Sequence, residues 1–309
     1  MLSTEFKALT ERAIRNVTVA GTGVLGAQIA FQTAYRNFNV VAYDINDSIL
    51  EKAKARFKDL QGVYRDEMRA SQSQVEGAFS RIAYSADLAT AAKNADLVIE
   101  AVPENLDLKK SFYGELAKVA PAATIFASNS STMLPSQLAE FSGRPERFLN
   151  LHFANQVWKH NIAEIMAHPG TEQSVYAAVV EFAKSIGMVP LQLNKEQPGY
   201  LLNSLLIPML HSALALLVNG VADVPTIDKT WMLSMEAKRG PFAILDGIGV
   251  ATAYNINKNE AAITGDPTTA KIVEYLKANF LDTGKLGVAV GEGFYKYPNP
   301  DYLRPDFLR

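Results

Sequence analysis

The run Val17-Thr18-Val19-Ala20-Gly21-Thr22-Gly23-Val24-Leu25-Gly26 decides the fold. A short apolar strand leads into three glycines spaced G-x-G-x-x-G, and a helical pattern begins at Val24. Each glycine has its own task in such a turn. Gly21 permits the tight exit from the strand, Gly23 lets the backbone approach a pyrophosphate, and Gly26 lets the helix pack closely on the sheet. The N–H groups at the helix start, Val24 and Leu25, then face the anion. A second strand ends at Asp44, about 20 residues on, where a carboxylate accepts hydrogen bonds from a ribose 2′-hydroxyl and repels a 2′-phosphate. Ile45-Asn46-Asp47 bring no arginine to neutralise such a phosphate. The reading is NAD rather than NADP.

Outward from this turn, short β-rich runs alternate with helical patterns. Strands are expected at 16–20, 39–43, 96–102, 124–128, 148–153, 163–166 and 189–193, with helices at 24–36, 47–67, 106–120 and 172–186. That order is the one expected of a Rossmann-type, doubly wound α/β domain. A second helical pattern at 71–79 makes residues 47–80 a helical hairpin insertion, expected to project from the sheet. After Lys195-Glu196-Gln197-Pro198-Gly199 the strand signal vanishes and helices are expected at 200–218, 226–235, 243–255 and 268–280. The expected organisation is a dinucleotide-binding domain over 1–194 and an all-α domain over 195–309. Gly, Pro and aromatic residues mark 285–309 as ordered loop.

Composition narrows the function. Lys+Arg 30 against Asp+Glu 32 gives a net charge of −2 with no long basic run, so nothing favours a nucleic-acid partner. The absence of cysteine excludes disulfides, thiolate catalysis and Cys-ligated zinc, and suits a cytoplasmic protein; no metal is expected. Residues 1–14 carry Glu5 and Glu11 and no apolar run, which argues against a secretory signal or a mitochondrial presequence. The apolar stretch 200–218 is interrupted by Asn203, Ser204, Pro208, His211 and Ser212, so no membrane span is expected. It reads as a helix buried on most sides, in a core or a subunit interface.

Four histidines leave few candidates for acid–base work, and His152 has the best placement. It ends an expected strand at the mouth of an open α/β sheet, where ligands bind. A hydride transfer to nicotinamide needs a base for the hydroxyl proton, and imidazole titrates near neutrality. Glu164, on the next expected strand, is placed to face it, fix its tautomer and stabilise the imidazolium. Taken alone, a histidine after an apolar strand is more often structural; the Rossmann context shifts the balance toward function.

Motifs along nearly the whole chain carry a resemblance. They are Val19-Ala20-Gly21-Thr22-Gly23-Val24-Leu25-Gly26, Val98-Ile99-Glu100-Ala101-Val102-Pro103-Glu104-Asn105-Leu106 with Lys109, and Ala127-Ser128-Asn129-Ser130-Ser131. Next come Leu151-His152-Phe153-Ala154-Asn155 with Glu164, Pro198-Gly199-Tyr200-Leu201-Leu202-Asn203, and Gly291-Glu292-Gly293-Phe294-Tyr295. In order and spacing the chain resembles the L-3-hydroxyacyl-CoA dehydrogenases. The resemblance implies NAD-dependent oxidation of (S)-3-hydroxyacyl-CoA to 3-oxoacyl-CoA, or the reverse, on short chains such as 3-hydroxybutyryl-CoA. It implies His152 as base, Glu164 as its partner, Ser131 as hydrogen-bond donor to the substrate oxygen, and Asn203 as a polar group from the helical domain. It further implies Glu104, Lys109 and Asn155 as contacts around the nicotinamide half, and a homodimer. Singly, Ser131 also reads as a helix cap, Asn203 as a partner for helix backbone and Lys109 as a solvated charge. Their joint order favours function.

The chain departs from the family pattern at three places. Gln156-Val157-Trp158-Lys159-His160 replaces the proline usual after the Asn of the His-Phe-x-Asn segment, putting bulk and charge near the expected substrate entrance. Ala289 stands where the family often has a lysine. The hairpin residues that meet CoA in the family have no clean match, leaving Lys58, Arg65 and Arg69 as candidate phosphate partners. These departures keep open a dehydrogenase of a small polar 3-hydroxy acid, of L-gulonate or carnitine type, and a non-catalytic NAD(H)-binding protein.

Overall fold

A computed structural model of the chain describes residues 14–309. Residues 1–13, most of the segment read for a leader, lie outside the described residues. The chain folds as two units that part between Leu201 and Leu202.

The first unit runs β1 (Asn16–Ala20), α1 (Val24–Tyr35), β2 (Asn39–Tyr43), α2 (Asp47–Met68), α3 (Gln72–Ser80), β3 (Ile82–Ser85), α4 (Leu88–Ala92), β4 (Leu97–Glu100) and α5 (Leu106–Val119). It continues β5 (Ile125–Ser128), α6 (Pro135–Leu138), β6 (Phe148–Phe153), β7 (Ile162–Ala167), α7 (Gln173–Ser185) and β8 (Val189–Leu193). One eight-stranded sheet results, in the order β3-β2-β1-β4-β5-β6-β7-β8. Every pairing is parallel except β6 with β7. This is the doubly wound sheet expected from the alternation, with β3 as an edge strand that the sequence reading passed over.

Side-chain alternation assigns the faces. Val17, Val19, Leu97, Ile99, Leu149 and Leu151 line one core with residues of α1, α2, α3 and α7. Ala20, Val98, Phe126 and Phe148 line the other with Tyr113 and Leu116 of α5. Each fully buried Val, Leu, Ile or Phe contributes roughly 1.5–3 kcal/mol. Because Leu149, Leu151 and Phe153 belong to the first core, the alternate residues Asn150 and His152 point to the opposite face.

The hairpin α2–α3 does not project. Asn46 caps α2 by accepting from the Ile49 N–H at 3.0 Å, and Ser71 and Gln74 form a reciprocal capping box on α3. Phe57, Leu60, Tyr64, Val75 and Ala78 then enter the main core, and the Tyr64 hydroxyl donates to Gln32 of α1 at 2.5 Å. A stripe this apolar is stable only when covered, so the hairpin lies down on the sheet's own helical layer.

The second unit contains α8 (Leu202–Val218), α9 (Val224–Ser234), α10 (Pro241–Ile248), α11 (Val250–Thr264) and α12 (Pro267–Leu276). The pattern read as one helix over 243–255 is two, because Gly249 at φ +96° breaks the backbone between Ile248 and Val250. Only Leu210, Ala213 and Leu214 of α8 are fully buried, and Leu205 is 76% exposed. The expectation of a helix buried on most sides therefore fails within one chain. Among the described residues no helix is long and apolar enough to cross a membrane.

Two buried carboxylates hold the C-terminal loop. Asp246 accepts from the N–H groups of Phe294 (2.8 Å) and Tyr295 (2.9 Å) and from the Tyr297 hydroxyl (3.0 Å). Asp228 accepts from the N–H groups of Phe242 and Ala243 and from the Tyr295 hydroxyl. Burial pushes both carboxyls above their ordinary value, against the pull of these donors. A Cβ at Gly293 would lie 2.0 Å from Asp246 Oδ1, so the loop can approach only as glycine. Asp246→Ala leaves three donors without their acceptor and is expected to cost about 3 kcal/mol. The check is the urea midpoint; an unchanged midpoint would mean that the loop is held by other contacts.

Candidate active site

The glycine turn separates into packing and open positions. A Cβ at Gly21, whose φ is +98°, would lie 2.4 Å from the Ala101 carbonyl oxygen, and one at Gly26 would lie 2.0 Å from the Gly21 carbonyl oxygen. A Cβ at Gly23 would meet nothing within 4 Å. Helix α1 starts at Val24 and Leu25 without a side-chain cap and without an acidic residue in its first turn. Gly23 borders a cavity of about 1060 Å³ that also takes in Gly21, Asp44, Val102 and Leu108. Asp44 is pre-set: its Oδ2 accepts from the Thr22 N–H and hydroxyl, each at 2.7 Å, and its Oδ1 from the Ile45 N–H at 2.9 Å. An uncapped helix start, an open glycine and an oriented carboxylate on one cavity fit a dinucleotide.

Lys52 and Arg56 of α2 border the same cavity, and Arg56 donates to the Thr22 carbonyl at 3.2 Å. The reading of 45–47 alone missed both because they arrive in the second and third turns of the helix.

On the opposite side of the strand ends, antiparallel register pairs His152 directly with Glu164. His152 Nδ1 lies 2.9 Å from Glu164 Oε2, and Nε2 lies 3.0 Å from Ser131 Oγ. Glu164 is fully buried and its other oxygen accepts from the Leu201 N–H at 2.9 Å. The carboxylate assigns the proton to Nδ1, which leaves Nε2 of the neutral ring as an acceptor facing Ser131. Ser131 caps no helix; α6 begins after Leu134.

The Ser131 loop is held from below by charge. Glu100, with no exposed surface, accepts from Lys109 Nζ (2.5 Å), the Ser128 hydroxyl (2.7 Å), the Val102 N–H (2.9 Å) and the Tyr113 hydroxyl (3.1 Å). Lys109, itself 1% exposed, also meets Glu104 at 3.3 Å. Glu104 accepts from the Ser130 hydroxyl (2.5 Å), the Thr132 hydroxyl (2.7 Å) and the Thr132 N–H (3.0 Å). Burial works to raise the Glu104 carboxyl, but these donors and Lys109 outweigh it and hold the group below its ordinary value. Lys109 is thus no solvated charge.

Asn155 follows β6, and its side-chain oxygen accepts from Gln28 Nε2 of α1 at 2.8 Å. Asn203 stands in the first turn of α8, in the second unit. Trp158 turns its ring onto Tyr64 of α2 and donates from Nε1 to Glu67 at 2.9 Å. Its bulk is therefore spent on the hairpin, because an indole covers apolar surface best where its N–H also finds a partner. Glu100, Gln28 and Tyr200 had no distinguishing signal beyond their presence in the quoted motifs or in helix α1.

Comparison with known proteins adds relatives to this geometry. A family model described as 3-hydroxyacyl-CoA dehydrogenase, NAD binding domain, matches residues 16–197, and its C-terminal domain partner matches 199–297. The human mitochondrial hydroxyacyl-coenzyme A dehydrogenase is 33% identical over 92% of this chain and 91% of its own length. A solved (S)-3-hydroxybutyryl-CoA dehydrogenase from Ralstonia eutropha is 29% identical, with a TM-score of 0.80 over 93% of this chain and all of that one. A solved diketoreductase, described as catalysing reactions of dicarbonyl compounds, is 54% identical, with a TM-score of 0.88 over 93% of this chain and all of that one.

The two kinds of glycine should respond differently to a methyl group. Gly26→Ala is expected to lower stability by about 1–3 kcal/mol through overpacking. Gly23→Ala is expected to leave the unfolding midpoint in place and weaken NADH binding about tenfold or more. Fluorescence titration with NADH beside thermal unfolding separates them; equal loss of stability in both variants would contradict the assignment.

Proposed function

Because this chain belongs to the 3-hydroxyacyl-CoA dehydrogenase family, we propose that it interconverts (S)-3-hydroxyacyl-CoA and 3-oxoacyl-CoA with NAD, on short chains such as 3-hydroxybutyryl-CoA. The observation that carries the reading is the chain Ser131 Oγ–His152 Nε2 and His152 Nδ1–Glu164. The cofactor, when bound, would accept the hydride from C3 as NAD+ in oxidation and return it as NADH in reduction. Gly23, the start of α1 and Asp44 would hold it, with Glu104, Lys109 and Asn155 as the contacts around the nicotinamide half. In oxidation His152 Nε2 takes the hydroxyl proton of the substrate, and the buried Glu164 carboxylate stabilises the imidazolium that forms. In reduction the same nitrogen returns the proton to the developing alkoxide. Ser131 donates to the substrate oxygen, and Asn203 is assigned the second polar contact.

A second reading concerns only the handle of the substrate. A 3-oxoacyl thioester is itself a dicarbonyl, and the 54% identity to a diketoreductase exceeds the 33% to the human acyl-CoA enzyme. This favours a dicarbonyl substrate without CoA as the alternative, with the same hydride and proton steps. Self-association is also part of the proposal: Leu205 and Leu216 of α8 are 76% and 43% exposed, which suits burial against a second copy. A cysteine-free chain is in keeping with a cytoplasmic setting.

Purified protein mixed with NADH and acetoacetyl-CoA is expected to oxidise NADH, and His152→Ala to lower kcat at least about 100-fold with NADH binding intact. Turnover of ethyl acetoacetate, the CoA-free dicarbonyl counterpart, but not of acetoacetyl-CoA would establish the second reading. Silence with both, despite bound NADH, would move the assignment to small polar hydroxy acids or to a binding protein. Light scattering is expected to give twice the chain mass and Leu205→Asp to reduce it to one; a wild-type monomer at all concentrations would end the dimer proposal.

A further inference from the structure

Tyr200 touches the relay at its centre without belonging to it. Its ring lies face to face with the His152 imidazole, centroids 4.4 Å apart and planes within 15°. The ring is 1% exposed, and it sits in an awkward backbone: Gly199 and Tyr200 are both left-handed, at φ +77° and +55°. An aromatic residue in that region costs on the order of 1 kcal/mol and persists only where its surroundings over-determine it.

The surroundings do so. The Tyr200 hydroxyl donates to the Ser130 carbonyl at 2.6 Å and accepts from Asn150 Nδ2 at 2.9 Å. Asn150 stands two residues before His152 on the same face of β6, and Ser130 is the neighbour of Ser131. The next residue, Leu201, gives its N–H to Glu164. One three-residue strap, 199–201, therefore meets the imidazole on its face, the carboxylate at the oxygen turned away from His152 and the serine loop at its backbone. Burial, with Glu104, Glu164 and Glu100 nearby, pushes the phenol well above its ordinary value despite the hydrogen bond from Asn150, so it remains a protonated donor.

We propose that Tyr200 is a positioning residue of the proton relay, its ring clamping the plane of His152 so that Nε2 stays on Ser131 while Nδ1 stays on Glu164. The proposal rests on the function proposed above for His152. A ring held only by hydrogen bonds at its two nitrogens can still tilt, which turns the in-plane Nε2 lone pair away from Ser131 and the Nδ1 N–H away from Glu164. A stacked aromatic face opposes that tilt and, through its negative quadrupole, favours the imidazolium formed during turnover. The phenol then fixes the clamp to the same loop that carries Ser131, so that donor and base move together. Misplacement of a catalytic group by about 1 Å is enough to cost on the order of 100-fold in rate.

The test compares Tyr200→Phe, which keeps the ring, with Tyr200→Leu, which does not. Phe is expected to lose at most about tenfold in kcat, the worth of its hydrogen bonds. Leu is expected to lose about 100-fold, with the NADH dissociation constant unchanged and a larger solvent deuterium isotope effect as proton transfer becomes limiting. Equal kcat in Leu and wild type, or equal losses in Phe and Leu, would overturn the clamp. A second measurement needs no turnover. With only four histidines, the His152 Hε1 resonance is assignable by its loss in His152→Gln. Ring current should hold it upfield in wild type and Tyr200→Phe, and its absence in wild type would refute the stacking even if Tyr200→Leu fails to fold. An inactive wild type with the upfield resonance would instead refute the functional reading and leave the clamp geometry standing.

Discussion

A carboxylate with no exposed surface, Glu100, is the constraint from which the site is built. At the end of β4 it gathers the Lys109 ammonium, two hydroxyls and a backbone N–H. An ion in that position is tolerable only when fully partnered, and removing one partner of a buried pair costs roughly 3–5 kcal/mol. Lys109 in turn sits beside Glu104, and Glu104 binds both hydroxyls flanking Ser131. A chain of charge and hydrogen bonds thus runs from the centre of the sheet to the loop that presents Ser131 to His152. The loop owes its shape to the floor beneath it rather than to its own sequence.

That dependence explains what was legible in the sequence and what was not. The strand, glycine turn and Asp44 are local signals with a fixed spacing, so sheet and cavity could be read directly. His152 and Glu164 were legible as a pair because two short strands joined by one loop leave few registers, and the observed register puts them opposite each other. Lys109 was visible as a residue, but its burial depends on Glu100, whose partners lie up to 28 positions away in the chain. Tyr200 was quoted only as part of a motif, since its stacking follows from two consecutive left-handed residues. Strand β3, four residues long with only Ile82 buried, carries too little pattern to stand out. The helical break at Gly249 was hidden because apolar residues continue on both sides of it.

The antiparallel step between β6 and β7 has a further consequence for function. In a parallel pair, the connection must cross the sheet through a dozen or more residues, usually a helix, before returning. Here residues 154–161 suffice, and they carry the departure Gln156-Val157-Trp158-Lys159-His160 from the family pattern. The His152–Glu164 pair sits on the strands, in a register that the core residues Leu151, Phe153, Ala163 and Ile165 enforce. The departing residues sit in the loop, where Trp158 packs on Tyr64 and donates to Glu67 of α2. Under the proposed function, changes in that loop would alter the surroundings of a substrate without moving His152 or Glu164.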